Sequence, residues 1–146
     1  SDDKSVLRFI QQINKVIPYI EEKSINLSLE TDLGPDKFVE LLNQFDSKRI
    51  TVNYDIGNSA SLGFDPLEEL DAYGDRITDI HIKDRLLNGG PVLLGEGNAN
   101  FELFFTKLKE FNYKGPFIMQ AYRDNDGISI FKEQLNYILS IMDRYY

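Results

Sequence analysis

Cysteine and tryptophan are absent from this chain of 146 residues, and histidine occurs once, as His81. Without cysteine the protein has no disulfide bonds and no thiolate ligands for a metal ion, which fits a cytoplasmic protein. No apolar run approaches the ~20 residues that a membrane-spanning helix needs. The polar start, residues 1–4, carries no hydrophobic signal segment, so we expect no membrane partner.

Positive charge is scarce as well. The 16 Lys and Arg residues are outnumbered by 24 Asp and Glu residues, which gives a net charge of −8 at pH 7. An acidic chain binds a nucleic-acid backbone poorly unless its basic residues cluster, and only Lys83, Arg85 and Arg123 are candidates for a small basic patch. We therefore expect no nucleic-acid partner.

Short apolar segments alternate with helix-sized segments along the whole chain. The apolar segments predict strands at residues 25–30, 50–55, 77–82 and 116–121. Helical spacing predicts helices at residues 4–23 (kinked or shortened by Pro18), from 34–36 onward, and at 65–72, 101–111 and 127–144. Residues 57–63 and 84–99 have the composition of loops. Strands that alternate with helices imply a parallel sheet, here in one domain over residues 1–146.

Each predicted strand runs into a residue that can hold a metal ion. These residues are, in chain order, Glu30, Asp55, His81 and Gln120. Because α/β proteins place their sites at the carboxyl edge of a parallel sheet, we expect the four side chains to converge there.

Each of these residues also has a purely structural interpretation. Asp55 before Gly57 is typical of a turn, and Glu30 is suited to capping the helix that follows it. A lone histidine at a strand end is more often a hydrogen-bonded structural residue than a ligand. The metal-site hypothesis therefore depends on the four positions taken together.

Four parallel strands form either an open α/β sheet or one half of an eight-stranded barrel, which typically needs about 250 residues. A half-barrel leaves two sheet edges unpaired and one side of its core uncovered. The chain begins at Ser1 without an initiator Met, which favours a piece cut from a longer protein. We therefore favour the half-barrel.

Several motifs together resemble a known superfamily. They are Ser28-Leu29-Glu30-Thr31, Tyr54-Asp55-Ile56-Gly57-Asn58, Ile80-His81-Ile82-Lys83-Asp84-Arg85, Leu94-Gly95-Glu96-Gly97, Phe101 and Tyr113-Lys114-Gly115. In order and spacing they are similar to the second half of the xylose isomerase-like TIM barrels, in particular the branch of sugar phosphate isomerases and epimerases related to hexulose-6-phosphate isomerase. The resemblance implies the C-terminal half of a (β/α)8 barrel, with these strands as its fifth to eighth.

The resemblance also implies a divalent metal ion with one ligand from each strand. The family usually has Glu, Asp, His and Glu at these positions, which correspond here to Glu30, Asp55, His81 and Gln120. In the epimerase branch the first and last of these residues also transfer protons. Gln120 departs from this pattern: its carbonyl oxygen can bind a metal ion, but an amide cannot exchange a proton at neutral pH. A two-base mechanism is therefore in doubt.

The activity that the resemblance implies is isomerisation or epimerisation of a sugar or sugar phosphate through an enediolate. Glu30 is the expected base, and the mixed oxygen and nitrogen ligands suit Mn²⁺, Mg²⁺, Co²⁺ or Zn²⁺ without distinguishing among them. We expect further roles at six positions around the site. Lys83, Arg85 and Arg123 would anchor a sugar hydroxyl or phosphate, the backbone N–H groups of Gly95 and Gly97 would approach an anion, and Asp84 would orient His81 or Lys83.

Two other functions stay open. A catalytically incomplete half-barrel would act as a binding or assembly module, pairing with a second copy as a homodimer or with a missing N-terminal half. An endonuclease acting at abasic DNA belongs to the same superfamily, but such enzymes need several more histidines than this chain has. We rank that activity below the other two.

Overall fold

The computed structural model describes residues 3–123, 125 and 127–146. Six helices lie within these residues: α1 Asp3–Lys23, α2 Pro35–Leu42, α3 Ile56–Leu62, α4 Pro66–Tyr73, α5 Phe101–Leu108 and α6 Ile128–Tyr145. The strands are β1 Leu27–Leu29, β2 Ile50–Asp55, β3 Ile77–Ile82, β4 Asp84–Arg85, β5 Pro91–Val92 and β6 Phe117–Met119. Single 3₁₀ turns follow α4 and α5, at Gly74–Arg76 and Lys109–Phe111.

The main sheet is parallel, with the strand order β1-β2-β3-β6. Strands β4 and β5 form a separate two-stranded antiparallel hairpin. Within the main sheet Asp55 is the register partner of His81, and Ile82 is the partner of Met119. The predicted parallel sheet alternating with helices is confirmed, and this architecture is that of half a (β/α) barrel.

Alternation along the strands separates a core face of the sheet from a polar face. Tyr54, Ile80 and Ile82 are buried, and the ring of Tyr54 stacks on Phe104 of α5 with 5.1 Å between ring centroids. Because successive side chains of a strand point to opposite faces, the intervening residues of β2 and β3 face away from this core. The polar face is therefore where the candidate ligands lie.

One predicted loop is a helix. Residues 57–63 have the Gly, Asn and Ser content of a loop, yet α3 occupies Ile56–Leu62. The Asp55 side chain caps it by accepting a 2.8 Å hydrogen bond from the Asn58 N–H, and Gly63 ends it with φ +77°. A Cβ atom at Gly57 would come within 2.8 Å of Lys83 Cγ, so close packing on Lys83, which follows β3, requires glycine there. Capping and packing thus overcome the weak helix propensity of the segment.

Other differences concern the outer elements. Strands β1 and β6 are shorter than predicted, and each has a partner on only one side in the described sheet. Helix α1 runs on past Pro18 to Lys23. Buried Ile20 and the half-buried residues before Pro18 pack on the same core, which supports the helix on both sides of the proline.

The apolar residues of α6 are buried to very different extents. Ile128 at its start is 74% exposed, whereas Ile138 and Ile141 are buried. The segment predicted as one loop at 84–99 contains the short hairpin of β4 and β5.

None of the helices in the described part of the chain is both long and apolar enough to cross a bilayer.

Candidate metal centre at the carboxyl edge of the sheet

Three of the four candidate ligands lie together. Glu30, Asp55 and His81 each offer a ligand atom, and these atoms are all within 4.8 Å of one another. His81 Nδ1 is 3.5 Å from Glu30 Oε2 and 3.8 Å from Asp55 Oδ2. The sheet explains this convergence, because Glu30 directly follows β1 while Asp55 and His81 are register partners at the ends of β2 and β3.

The chemistry of this cluster fits a divalent cation. The Asp55 side chain is 1% exposed, His81 is 14% exposed and Glu30 is 38% exposed. Two carboxylates and an imidazole provide the mixed oxygen and nitrogen ligands that Mg²⁺, Mn²⁺, Co²⁺ and Zn²⁺ accept. A cation would also offset the repulsion between two carboxylates that the fold brings together.

Asp55 serves the helix cap and the cluster at the same time. Its Oδ1 accepts the Asn58 N–H that starts α3, while its Oδ2 faces His81 and lies 3.4 Å from Lys83 Nζ. The turn interpretation and the ligand interpretation of Asp55 are therefore compatible. The capping alternative for Glu30 is wrong, because α2 begins after Gly34 without a side-chain cap.

Gln120 lies at the neighbouring strand end. Its backbone N–H donates a 2.9 Å hydrogen bond to the carbonyl of Ile82, so the chain stays beside β3 for one residue beyond β6. Its side chain is exposed. A role for Gln120 as fourth ligand stays a prediction.

Two of the three predicted substrate-binding cations lie next to the cluster. Lys83 Nζ is 3.3 Å and Arg85 Nη1 is 2.8 Å from Asn58 Oδ1. The Gly89 carbonyl accepts two further hydrogen bonds from the Arg85 guanidinium, which fixes its orientation. Arg123 is exposed, and no hydrogen bond or ion pair to another described residue brings it to the cluster.

Asp84 organises the following loop instead of orienting His81 or Lys83. Its fully buried carboxylate accepts backbone hydrogen bonds of 2.9–3.0 Å from the N–H groups of Arg85, Gly95, Gly97 and Ala99. The reason is alternation, which continues beyond the end of β3: His81 and Lys83 project to the polar face, and Asp84, the first residue of β4, projects to the other.

The same hydrogen bonds show what the two predicted anion-binding glycines contact within the protein. The N–H groups of Gly95 and Gly97, predicted to meet a substrate anion, both bind Asp84 Oδ2 at 2.9 Å. A side chain at Gly97 would collide with the same carboxylate. Within the described chain these N–H groups therefore bind the carboxylate of Asp84. Binding of a substrate anion by them stays a prediction.

Two asparagines that the sequence analysis did not single out contact the cluster. Asn53 Nδ2 donates to Glu30 Oε2, and Asn58 Nδ2 donates to Glu30 Oε1, both at 2.8 Å. The position of Asn53 beside the cluster could have been predicted, since it lies two residues before Asp55 in the same strand and must share its face. Asn58 had no comparable signal, because its position depends on the unpredicted helix α3.

Behind the cluster, a buried carboxylate joins β2 to α4. Glu69 accepts hydrogen bonds from Tyr54 Oη (2.6 Å), Tyr73 Oη (2.8 Å) and Ser59 Oγ. Burial raises the pKa of Glu69 above its ordinary value, and the three hydroxyl donors oppose that rise. Burial, followed by the Glu69 charge, raises the pKa of Tyr54 well above its usual range. This network fixes β2 from the core side, opposite the candidate ligands.

Comparison with known proteins agrees with this architecture. A family profile described as "Xylose isomerase-like TIM barrel" matches residues 1–141. Inosose dehydratase of Geobacillus kaustophilus is 31% identical over 114 residues, which cover 66% of this chain and 36% of that protein. The chain spans about half the length, or less, of the curated relatives it matches.

Solved structures match nearly the whole chain. A xylose isomerase domain protein from Planctomyces limnophilus has a TM-score of 0.83 at 22% identity, over 99% of this chain and 56% of that one. A D-tagatose 3-epimerase-like protein has a TM-score of 0.74 at 25% identity, over 94% of this chain and 55% of that one. The chain therefore belongs to the family of xylose isomerase-like TIM barrels.

Proposed function

We propose that this chain carries the metal-binding half of a sugar or sugar phosphate isomerase or epimerase, which removes a proton from the carbon beside a carbonyl. The observation that carries the proposal is the convergence of Glu30, Asp55 and His81, with ligand atoms within 4.8 Å of one another. Relatives named as a dehydratase and an epimerase-like protein support it, because such enzymes can share this first step on a carbonyl sugar.

The residues have distinct roles in this proposal. Glu30, Asp55 and His81 hold the cation, and a divalent cation there would supply Lewis-acid stabilisation of the negative charge that develops on the carbonyl oxygen. Glu30 also takes the proton, since it is the most exposed of the three at 38% and is a carboxylate at the open edge of the sheet. Lys83 and Arg85 offer positive charge to a substrate hydroxyl or phosphate.

Gln120 favours reactions that need one base. Epimerisation removes a proton from one face of a carbon and returns one to the other face, which ordinarily requires two proton-transferring groups. An amide cannot be the second group. Isomerisation can proceed with one carboxylate that takes a proton and returns it on the same face. Dehydration can proceed with one carboxylate that takes the proton and passes it to the neighbouring hydroxyl group, which leaves as water, so we rank these two reactions above epimerisation.

Titration of Mn²⁺ by isothermal calorimetry tests the cation site. We expect binding by the chain and by the matched control Glu40→Gln, which alters an exposed glutamate on α2, and loss of binding in Glu30→Gln and His81→Ala. Equal binding by all four proteins would show that the cation site is elsewhere. Uptake of deuterium from D₂O into a ketose phosphate then tests the base, and Glu30→Gln should abolish it.

A specific observation favours a second candidate, the assembly module. The outer strands β1 and β6 each lack a partner on one side in the described sheet, and Ile25 beside β1 and Ile118 in β6 are 48% and 40% exposed. A second copy or a complementary half-barrel would cover these edges. Light scattering distinguishes the two candidates: a stable dimer without deuterium exchange supports assembly, and exchange by the chain supports the enzyme.

A further inference from the structure

Glu30 is held in place more firmly than its position alone would require. It directly follows β1, a strand of three residues, and its side chain is 38% exposed. A glutamate at such a place has three rotatable bonds and free access to water, so it would ordinarily occupy several rotamers. Yet each of its carboxylate oxygens has its own amide donor, from Asn53 or Asn58, at 2.8 Å.

Asn53 contacts Glu30 and His81 with the same nitrogen. Its Nδ2 lies 2.8 Å from Glu30 Oε2, 3.3 Å from His81 Nδ1 and 3.2 Å from His81 Nε2. A nitrogen equally distant from both ring nitrogens and in the ring plane would collide with Cε1, so Asn53 Nδ2 lies over the face of the imidazole. It therefore lies against the face of the ring and does not occupy the in-plane position of either ring nitrogen.

The orientation of the Asn53 amide has a cost, because its Oδ1 is buried without a hydrogen-bond partner among the described residues. Rotating the amide by half a turn would place this oxygen against Glu30 Oε2, and two acceptors would then face each other. An unpaired buried acceptor lowers stability. The observed orientation leaves Asn53 Oδ1 unpaired and directs the amide N–H toward Glu30.

The orientation of the Asn58 amide is fixed from the opposite side. Its Oδ1 accepts from Arg85 Nη1 at 2.8 Å and Lys83 Nζ at 3.3 Å, so its Nδ2 must face Glu30. Its backbone N–H at the same time binds Asp55 Oδ1. Asn58 thereby connects Glu30, Asp55 and two cationic side chains.

We propose that Asn53 and Asn58 are positioning residues that together form an amide clamp on Glu30, holding its carboxylate toward His81 and Asp55 in readiness for the cation. The inference rests on the proposed cation site. Without the clamp, Glu30 would turn toward solvent, and the cation would lose a preorganised ligand.

The hydrogen bonds are testable without any metal ion. In ¹⁵N–¹H spectra of the metal-free chain, Glu30→Ala should shift the side-chain NH₂ signals of Asn53 and Asn58. The NH₂ signal of Asn26, whose Oδ1 accepts from Arg49 beside the opposite end of β1, should stay unchanged. Unchanged Asn53 and Asn58 signals would overturn the clamp. Because Glu30 is not a core residue, this variant tests the bonds without endangering the fold.

The purpose of the clamp is tested by Mn²⁺ affinity, measured from the free-ion signal in electron paramagnetic resonance. Removal of a residue that orients a metal ligand typically weakens binding at least roughly 10-fold, so we expect that loss for Asn53→Ala and for Asn58→Ala but not for the control Asn26→Ala. Unchanged thermal midpoints would exclude a general loss of fold. Wild-type affinity in both variants would overturn the clamp while leaving the cation site intact. Absence of Mn²⁺ binding by the unaltered chain would overturn the cation site and the clamp with it.

Discussion

Asp84 offers the sharpest test of the hydrogen bonds that shape the loop beside the site. Its carboxylate is fully buried and accepts four backbone N–H groups, with Arg85 and Ala99 on Oδ1 and Gly95 and Gly97 on Oδ2. Substitution Asp84→Asn keeps the volume and one acceptor oxygen. The amide NH₂ group that replaces Oδ2 would then face two N–H donors.

The expected loss of stability follows from the number of hydrogen bonds that the substitution removes. Hydrogen bonds to a charged group each contribute about 1.5–3 kcal/mol, so losing the two bonds on Oδ2 should lower the free energy of unfolding by at least about 3 kcal/mol. Urea unfolding measures that change. As a matched control, Asp46→Asn alters an exposed aspartate and should stay within about 0.5 kcal/mol of the unaltered chain.

Hydrogen exchange locates the effect within the loop. In Asp84→Asn the pair of amides that faces the NH₂ group should exchange faster, whereas the other pair keeps the remaining oxygen as its partner. The faster pair is Gly95 and Gly97 if the NH₂ group replaces Oδ2, and Arg85 and Ala99 if the amide turns over. A loss of stability below about 1 kcal/mol, or equal protection of all four amides, would refute the assignment of Asp84 as the organiser of this loop.

Three further changes have expected outcomes. Gly97→Ala would push a methyl group into the buried carboxylate beneath it and should lower the free energy of unfolding by about 1–3 kcal/mol in urea titrations, whereas Gly90→Ala, with open space around it, should have little effect. Burial raises the pKa of Glu69 from 4.5, so the folded state holds that proton to higher pH than the unfolded chain does. The stability of the unaltered chain relative to Glu69→Gln should therefore fall as pH rises above 4.5, and a rise in parallel unfolding titrations would contradict the sign. Gln120→Glu supplies a second proton-transferring group and should increase deuterium uptake into a ketose phosphate; unchanged uptake would remove position 120 from the mechanism.

The central strands were predictable and the outer ones only partly so. Strands β2 and β3 have the predicted bounds, because each is a six-residue segment with strand neighbours on both sides. Strands β1 and β6 were predicted three residues too long, since apolar sequence alone does not reveal that pairing stops early at an outer strand. Sequence thus predicts where a strand exists better than how far its ladder extends.

The convergence of three candidate ligands could be predicted from the sequence, whereas the contacts that support them could not. Glu30, Asp55 and His81 each lie at the carboxyl end of a strand, a relation that depends only on strand order and is visible in the sequence. The hydrogen bonds of Asn58 depend on α3, whose sequence, with one Gly, one Asn and two Ser among seven residues, has little helix propensity of its own. That helix forms because Asp55 caps it and Gly57 packs on Lys83, and the packing on Lys83 requires the folded sheet.

The position of Asp84 shows how the alternation of β3 continues through Lys83 into β4. His81 and Lys83 project to the polar face, where they meet the candidate ligands and Asn58, whereas Ile80, Ile82 and Asp84 project to the buried side. The same alternation that buries two isoleucines places the Asp84 carboxylate behind the site, within reach of the loop N–H groups. A polar residue an odd number of positions from a ligand, such as Asp84 three residues after His81, is therefore better suited to shaping the surrounding loop. One an even number of positions away, such as Lys83, is better suited to acting on the ligands.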